Sequence, residues 1–184
     1  PVWVAGFSQN RASTKVHDDL CATACVLDDG HARLGIAVID AIGLFHDDVL
    51  EVRKRMERFL GIDYAIVCST HNHSTPDLMG LWGPDALHSG VDPLYRDQVI
   101  AAAIAALGGA VTALQSAHVT CHEIAVPPEG LVADTRKPAV FDPDVRVMHF
   151  TNPSNGATIG TMVGWANHPE TPWGKNTEIT ADFC

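Results

Sequence analysis

A strand–helix–strand pattern early in the chain restricts the fold more than any other feature. The run RLGIAVID (residues 33–40) is continuously apolar and rich in β-branched side chains, as in a strand buried on both faces. Residues 46–60 carry apolar side chains on one helical face, with acidic residues in the first turn and Gly61 at the end. The run DYAIVCS (residues 63–69) predicts a second buried strand. A helix between two such strands predicts parallel pairing with a right-handed crossover.

The rest of the chain predicts one further helix and several strands around this unit. An alanine-rich segment at residues 93–116 has apolar side chains at roughly helical spacing. Further strands are expected at residues 2–7, 21–29, 118–126, 145–150 and 157–166. No internal repeat divides the chain, so we expect one α/β domain over residues 1–184, with a mixed, partly parallel sheet flanked by helices.

Charge and composition narrow the classes of partner. The chain has 184 residues and a formal net charge of -10, which repels nucleic acid and anionic membrane surfaces. No run of about 18 apolar residues predicts a transmembrane segment, and no leader of signal-peptide type is present in the chain given. We therefore expect a soluble protein, either cytoplasmic or secreted, whose ligand is a small molecule or a lipid.

Two histidines follow the second predicted strand in the run CSTHNHSTPD (residues 68–77). His71 and His73 are two residues apart, so in an extended chain their rings point to one side. They also lie at the carboxyl end of a parallel strand, where ligands collect in open α/β sheets. The pair could share a metal, or one ring could bind metal while the other contacts substrate; ordinary loop histidines are the alternative.

A third histidine, His168, ends the apolar run TIGTMVGWA in the same way. Strand ends that converge on histidines predict one site, and catalytic zinc takes about three protein ligands and keeps one open position. His71 and His168 are two of these ligands, and His73 or a carboxylate is the third. Asp40, which ends the first buried strand, and His17 are candidates for supporting roles. The metallo-β-lactamase pattern HxHxDH fits less well, and the amidohydrolase barrel needs a longer chain.

Several segments together resemble the N-terminal part of the neutral/alkaline non-lysosomal ceramidase family. They are GFSQNRASTKVHDDLCATACVLDDG, AVIDAIGL, STHNHSTPD, TRKPAVFDPDVRVMHF and WANHPETPWGKNTEITADF, and they occur in the family's order. The resemblance implies a zinc-dependent amidase in which metal-bound water attacks the acyl carbonyl of an N-acyl substrate such as an N-acyl lipid.

The resemblance also implies roles for individual residues. His71 and His168 become zinc ligands, while His73 and Arg136 become catalytic residues that contact the substrate. The family's remaining ligands, a glutamate and a tyrosine, match nothing here. We therefore expect the chain to be truncated at both ends, with the C-terminal part of the same protein supplying further zinc ligands.

The loop after the histidine pair bears on the substrate. Ceramidases usually carry a Ser-Gly-Pro-Gly-Gly type of loop there, whereas this chain has Ser74, Thr75, Pro76 and Asp77. We expect Asp77 to line the substrate site, where an unpaired carboxylate suits a bare acyl chain poorly. Ceramide is therefore not assumed to be the substrate, and a non-catalytic relative that acts as a binding domain with an incomplete metal site is the alternative.

Overall fold

The computed structural model describes residues 1–184, which form two compact units. The first comprises residues 1–114 and 169–184, and the second comprises residues 115–168. The prediction that the chain is one domain within a larger zinc hydrolase stays a prediction. The strands are β1 (Lys15–Val16), β2 (Ala22–Asp28), β3 (Arg33–Ile39), β4 (Tyr64–Ser69), β5 (His118–Ala125), β6 (Asp144–Thr151), β7 (Thr158–Gly164) and β8 (Glu178–Ile179); the helices are α1 (His46–Leu60) and α2 (Pro93–Thr112).

The strand–helix–strand unit is confirmed. β3 pairs in parallel with β4, and α1 connects them. Asp47 and Asp48 occupy the first turn of α1, where their negative charges interact favourably with the helix dipole. Gly61 ends the helix in the left-handed conformation at φ 60°. Because β3 and β4 are parallel, they end side by side at Ile39 and Ser69, and the loops that follow them leave from the same edge of the sheet.

The sheet that contains β3 and β4 is mixed, as expected. β2 pairs antiparallel with β3, so the order is β2-β3-β4. The later strands were expected to join this sheet, and that expectation is wrong. β5, β6 and β7 instead form a separate antiparallel sheet within the second unit, with Phe150 buried. Each of these strands follows its neighbour after a short connection or a loop, which is the arrangement that antiparallel pairing permits.

The second helix packs as the core helix of the first unit. The Asp92 carboxylate caps α2 by accepting hydrogen bonds from the backbone N–H groups of Leu94 and Tyr95. Its buried side chains are Val99, Ile100, Ala103 and Leu107. They belong to a core with residues of β2, β3 and α1. By length and composition alone α2 would also be able to cross a membrane.

The N-terminal segment is irregular rather than a strand. Residues 2–7 were expected to be extended and paired, but only isolated bridges join Trp3 to Ala12 and Val4 to Pro76. Gly6, at φ 108°, interrupts any regular ladder. The two-residue strands β1 and β8 pair in parallel, which brings the last residues of the chain beside the first.

Candidate metal centre

The histidine pair lies in a turn beyond β4, and the turn brings the rings together. His71 has φ 65°, a left-handed conformation that is uncommon for a residue other than glycine. The ring centroids of His71 and His73 are 5.1 Å apart, and the ring planes are nearly perpendicular at 89°. The prediction that the two rings meet is therefore confirmed, whereas its reason, alternation along an extended strand, is wrong.

A backbone carbonyl orients the His71 ring. Nδ1 of His71 lies 2.6 Å from the carbonyl oxygen of Ile42, in the loop after β3. A carbonyl oxygen can only accept, so Nδ1 carries a proton, and in the neutral ring Nε2 then presents its lone pair. Metal-binding histidines usually donate their second ring nitrogen in this way, which fixes the tautomer and the ring direction. The parallel ends of β3 and β4 make this contact possible, because the two loops leave the sheet together.

Asn72, between the two histidines, anchors the turn. It is fully buried, and its amide nitrogen donates to the Thr180 carbonyl at 2.8 Å. Its amide oxygen accepts from the backbone N–H of Ser74 at 2.7 Å, and its own backbone N–H donates to Ala41 at 3.1 Å. A buried amide satisfied in this way fixes the backbone on both sides of it. Asn72 therefore holds the two histidines at a constant separation.

The N-terminal segment forms the wall behind His73. The backbone N–H of His73 donates to the Pro169 carbonyl at 3.1 Å. Phe7 meets the imidazole edge to face, with 4.9 Å between the ring centroids. Gly6 approaches so closely that a Cβ atom there would lie 2.4 Å from Nδ1 of His73. Only glycine fits at this position, because the contact leaves no room for a side chain and φ is 108°.

Arg11 ties three parts of the chain to this wall. It is buried, and its guanidinium donates to the carbonyl oxygens of Ala5 at 3.1 Å, His73 at 3.3 Å and Asn176 at 2.8 Å. Burial lowers the pKa of the guanidinium. The planar group presents its donors in a fixed fork, which a lysine could not reproduce. Arg11 therefore sets the position of the His73 backbone relative to residues on either side of it.

His168 joins the pair in a group of three histidines. One ring nitrogen from each of His71, His73 and His168 can be chosen so that all three lie within 4.8 Å of one another. Neutral imidazoles are the commonest ligands of zinc, and the Nδ1 contact of His71 gives that ring the tautomer a ligand needs. The donor set therefore fits a zinc ion.

Two other predicted site residues have different surroundings. The Arg136 side chain is exposed and lies 3.3 Å from the Asp134 carboxylate, in the loop before β6. Asp77 is fully buried, and its carboxylate accepts from the backbone N–H groups of Met79, Gly80 and Trp82. We infer that Asp77 fixes the conformation of the loop that follows it. Its predicted contact with substrate stays a prediction, which this burial does not favour.

An open cavity of about 500 Å³ adjoins the loops that carry these residues. Its wall is mixed: Phe45 and Met79 are apolar, whereas the exposed Asp47 and the buried Asp48 are acidic. Asp48 pairs with Arg96, whose Nε lies 2.6 Å from the carboxylate. Ile42 is the hydrogen-bond partner of His71. Phe45, in the cavity wall, follows Ile42 by three residues and therefore lies within about 10 Å of it. Its volume lies in the range of small-molecule sites, and none of the three histidines lines it.

The supporting roles expected of Asp40 and His17 stay predictions. Asp40 accepts from the backbone N–H of Cys21 at 2.8 Å, and burial raises the pKa of its carboxyl group. Burial and, secondarily, the Asp40 charge raise the pKa of Tyr95 to about 12. His17 is exposed and contacts the Asp18 carboxylate at 2.6 Å. Neither residue belongs to the group of three histidines.

Comparison with solved structures finds the same fold in ceramidases. One is described as a ceramidase complexed with C2, and another is the neutral ceramidase from Pseudomonas aeruginosa. The TM-scores are 0.79 and 0.78, each at 18% sequence identity. Each alignment covers 98% of this chain and 31% of the other, so the chain spans about a third of the length of these proteins. No family model matches the sequence, and no curated protein matches it.

The chain thus has the fold found in that third of the ceramidase structures, and the predicted α/β class is confirmed. The predicted resemblance extends to the fold of nearly the whole chain. Sequence reasoning found the three histidines, but it missed Gly6, Phe7, Arg11 and Asn72. The sequence carries no signal for Arg11 and Asn72, because their hydrogen-bond partners are backbone groups.

Proposed function

We propose that this chain is the N-terminal part of a zinc-dependent hydrolase that cleaves the amide bond of an N-acyl compound. The observation that carries the proposal is the group of three histidines, whose ring nitrogens lie within 4.8 Å of one another beyond the carboxyl end of β4. The ceramidase fold supports the choice of an amide as substrate. An ester is a less favoured substrate of the same chemistry.

Four of the predicted site residues have proposed roles. His71 and His168 hold the zinc, and the carbonyl of Ile42 keeps the His71 ring in its binding tautomer. Zinc bound there would act as a Lewis acid and lower the pKa of a water molecule towards neutrality. His73 faces the reacting group from the wall formed by Gly6 and Phe7, and Arg136 binds the substrate. The C-terminal part of the same protein supplies the remaining ligands.

The substrate is a small or lipid amide rather than necessarily ceramide. The cavity beside Phe45 and Met79 offers apolar surface for an acyl group, but Asp47, Asp48 and Arg96 also line it. Asp48 and Arg96 pair with each other, so the exposed Asp47 carboxylate is the group that would lose hydration beside a long alkyl chain, which disfavours a purely hydrocarbon occupant. A substrate with a short acyl group or with polar substituents matches this wall better.

Metal analysis and amidase assays of the full-length protein test the proposal. We expect bound zinc in the wild type, and loss of both zinc and activity in His71→Ala and His168→Ala. His31→Ala is the matched control, because His31 is exposed in the β2–β3 turn and lies outside the group of three. The assay should compare N-acyl sphingoid bases, N-acyl amino acids and short N-acetyl compounds.

Two results would contradict the proposal. Unchanged zinc content and activity in both histidine variants would mean that another site performs the reaction. Zinc binding without hydrolysis of any amide would instead favour a binding domain that has kept the fold. Arg136→Ala should keep the zinc and raise KM, which separates its role from that of the histidines.

A further inference from the structure

Glu170 lies beside the one histidine of the group that is buried. It follows Pro169, whose carbonyl accepts the backbone N–H of His73. Its carboxylate oxygen Oε2 lies 3.6 Å from Nδ1 of His73. Side-chain exposure is 9% for His73 and 24% for Glu170, so the two groups face each other largely away from solvent.

The surroundings of His73 limit how its ring can turn. Gly6 backs directly onto Nδ1, Cγ and Cβ, and Phe7 contacts the ring edge to face. Nδ1 is buried against the protein on the Glu170 side. Nε2, on the far side of the ring, is therefore the nitrogen that can serve a ligand at the group of three.

We propose that Glu170 is a positioning residue that holds His73 in the tautomer with its proton on Nδ1. The inference rests on the proposed function, which gives His73 its place beside the reacting group. An ionised carboxylate only accepts hydrogen bonds, so it attracts an Nδ1–H. In the other neutral tautomer the Nδ1 lone pair would face the carboxylate, and the two would repel each other.

This tautomer defines how His73 can contact the substrate. With the proton on Nδ1, the neutral ring offers Nε2 as a hydrogen-bond acceptor, whereas a donor to the substrate would need its proton on Nε2. The separation of 3.6 Å is longer than a direct hydrogen bond. Hydrogen bonds of catalytic groups are often long in ligand-free structures and tighten when the substrate binds. A carboxylate behind a histidine is a common way to fix ring direction, and losing it costs roughly 10- to 100-fold in activity or metal affinity.

Three variants of the full-length protein distinguish a hydrogen-bond role from a packing role. Glu170→Met keeps the length of the side chain but removes the acceptor, and Glu170→Gln keeps a carbonyl acceptor without the charge. Glu51→Gln is the control, because Glu51 is exposed on α1 and pairs with Arg55. The readout is the tautomer of His73, measured by NMR on metal-free protein with isotope-labelled histidine. The His73 signals are identified by their loss in His73→Gln.

We expect the Nδ1–H tautomer in the wild type and in Glu51→Gln, the Nε2–H tautomer in Glu170→Met, and an intermediate population in Glu170→Gln. In the zinc-loaded protein, kcat should fall roughly 10- to 100-fold in Glu170→Met with KM nearly unchanged, and Glu170→Gln should recover part of the loss. Zinc content should stay the same in all three.

Either of two results would overturn the inference. A His73 tautomer that is the same in Glu170→Met and wild type would show that Glu170 does not set it. Loss of zinc from Glu170→Met would show that Glu170 acts on the metal site, as a ligand or through one, rather than on the tautomer of His73 alone. The tautomer is measured without metal or substrate, so it decides the inference even if the protein hydrolyses no amide.

Discussion

Replacing Gly6 by alanine should displace the His73 ring from the wall formed by Gly6 and Phe7, and so change its position in the group of three histidines. The added Cβ would lie 2.4 Å from Nδ1, 2.5 Å from Cγ and 2.7 Å from Cβ of His73. Ordinary contact begins at 3.4 Å, so the ring or the Gly6 backbone must move by about 1 Å. Alanine at φ 108° adds backbone strain of about 1–2 kcal/mol, and the overpacking adds about 1–3 kcal/mol.

Gly30→Ala separates these two terms. Gly30 lies in the β2–β3 turn of the same unit at φ 85°, and a Cβ there would meet nothing within 4 Å. It carries the backbone strain without the clash. Denaturant unfolding should therefore show Gly6→Ala less stable than Gly30→Ala by about 1–3 kcal/mol. A displacement of about 1 Å at the ring should also lower kcat on the order of 100-fold in Gly6→Ala alone.

Equal loss of stability and equal activity in the two alanine variants would refute this reasoning. It would mean that the segment around Gly6 yields without disturbing His73. A Gly6→Ala protein with normal stability but reduced zinc content would point to a different error, namely that His73 is itself held by the metal rather than by the wall.

Three further predictions concern the frame around the site. Arg11→Met should destabilise the protein by roughly 3–5 kcal/mol in denaturant unfolding, because three backbone carbonyls lose a buried donor, and Arg11→Lys should restore only part of this. Asp77→Asn should cost about 1–3 kcal/mol and loosen the loop at residues 78–82, measured as faster amide exchange there. The pKa of Asp18 is lowered to about 2 by the backbone N–H of Ala181, then by the Thr180 hydroxyl and His17. Its contribution is therefore present above pH 3.8 and lost as the pH falls towards 2, so Asp18→Asn should flatten the acid limb of a stability–pH profile over that window.

The strand–helix–strand unit was predictable because its signals are local. β3, α1 and β4 each carry their own periodicity, and the helix bounds 46–60 were predicted as they occur. β1 and β8 were missed because each has two residues and its partner lies about 160 positions away in the chain. No periodicity can appear in two residues. The separate sheet of β5, β6 and β7 was mistaken for part of the first, because strand patterns identify strands but not the sheet to which each strand belongs.

The chemistry of the site was predictable from residue types, whereas its support was not. His71, His73 and His168 stand out because imidazole is a metal ligand and each follows an apolar run. Arg11 and Asn72 did not stand out, because their partners are backbone carbonyls rather than complementary side chains. A carbonyl is present at every residue, so the sequence gives no signal of which one is used.

The same property makes the frame tolerant of substitutions at the accepting residues. The side chains of His71, Asn72 and Arg11 all donate to carbonyls, so the residues that accept from them can change as long as the backbone stays in place. Donor and acceptor residues therefore differ in how freely they can change. Ile42 is an example of an acceptor, since it accepts from His71 through its backbone alone. Ile42→Val should therefore leave the zinc affinity unchanged and cost about 0.5–1.5 kcal/mol in stability, whereas a change of the donor abolishes the contact. A measurable loss of zinc affinity in Ile42→Val would show that the side chain, and not the carbonyl, holds His71 in position.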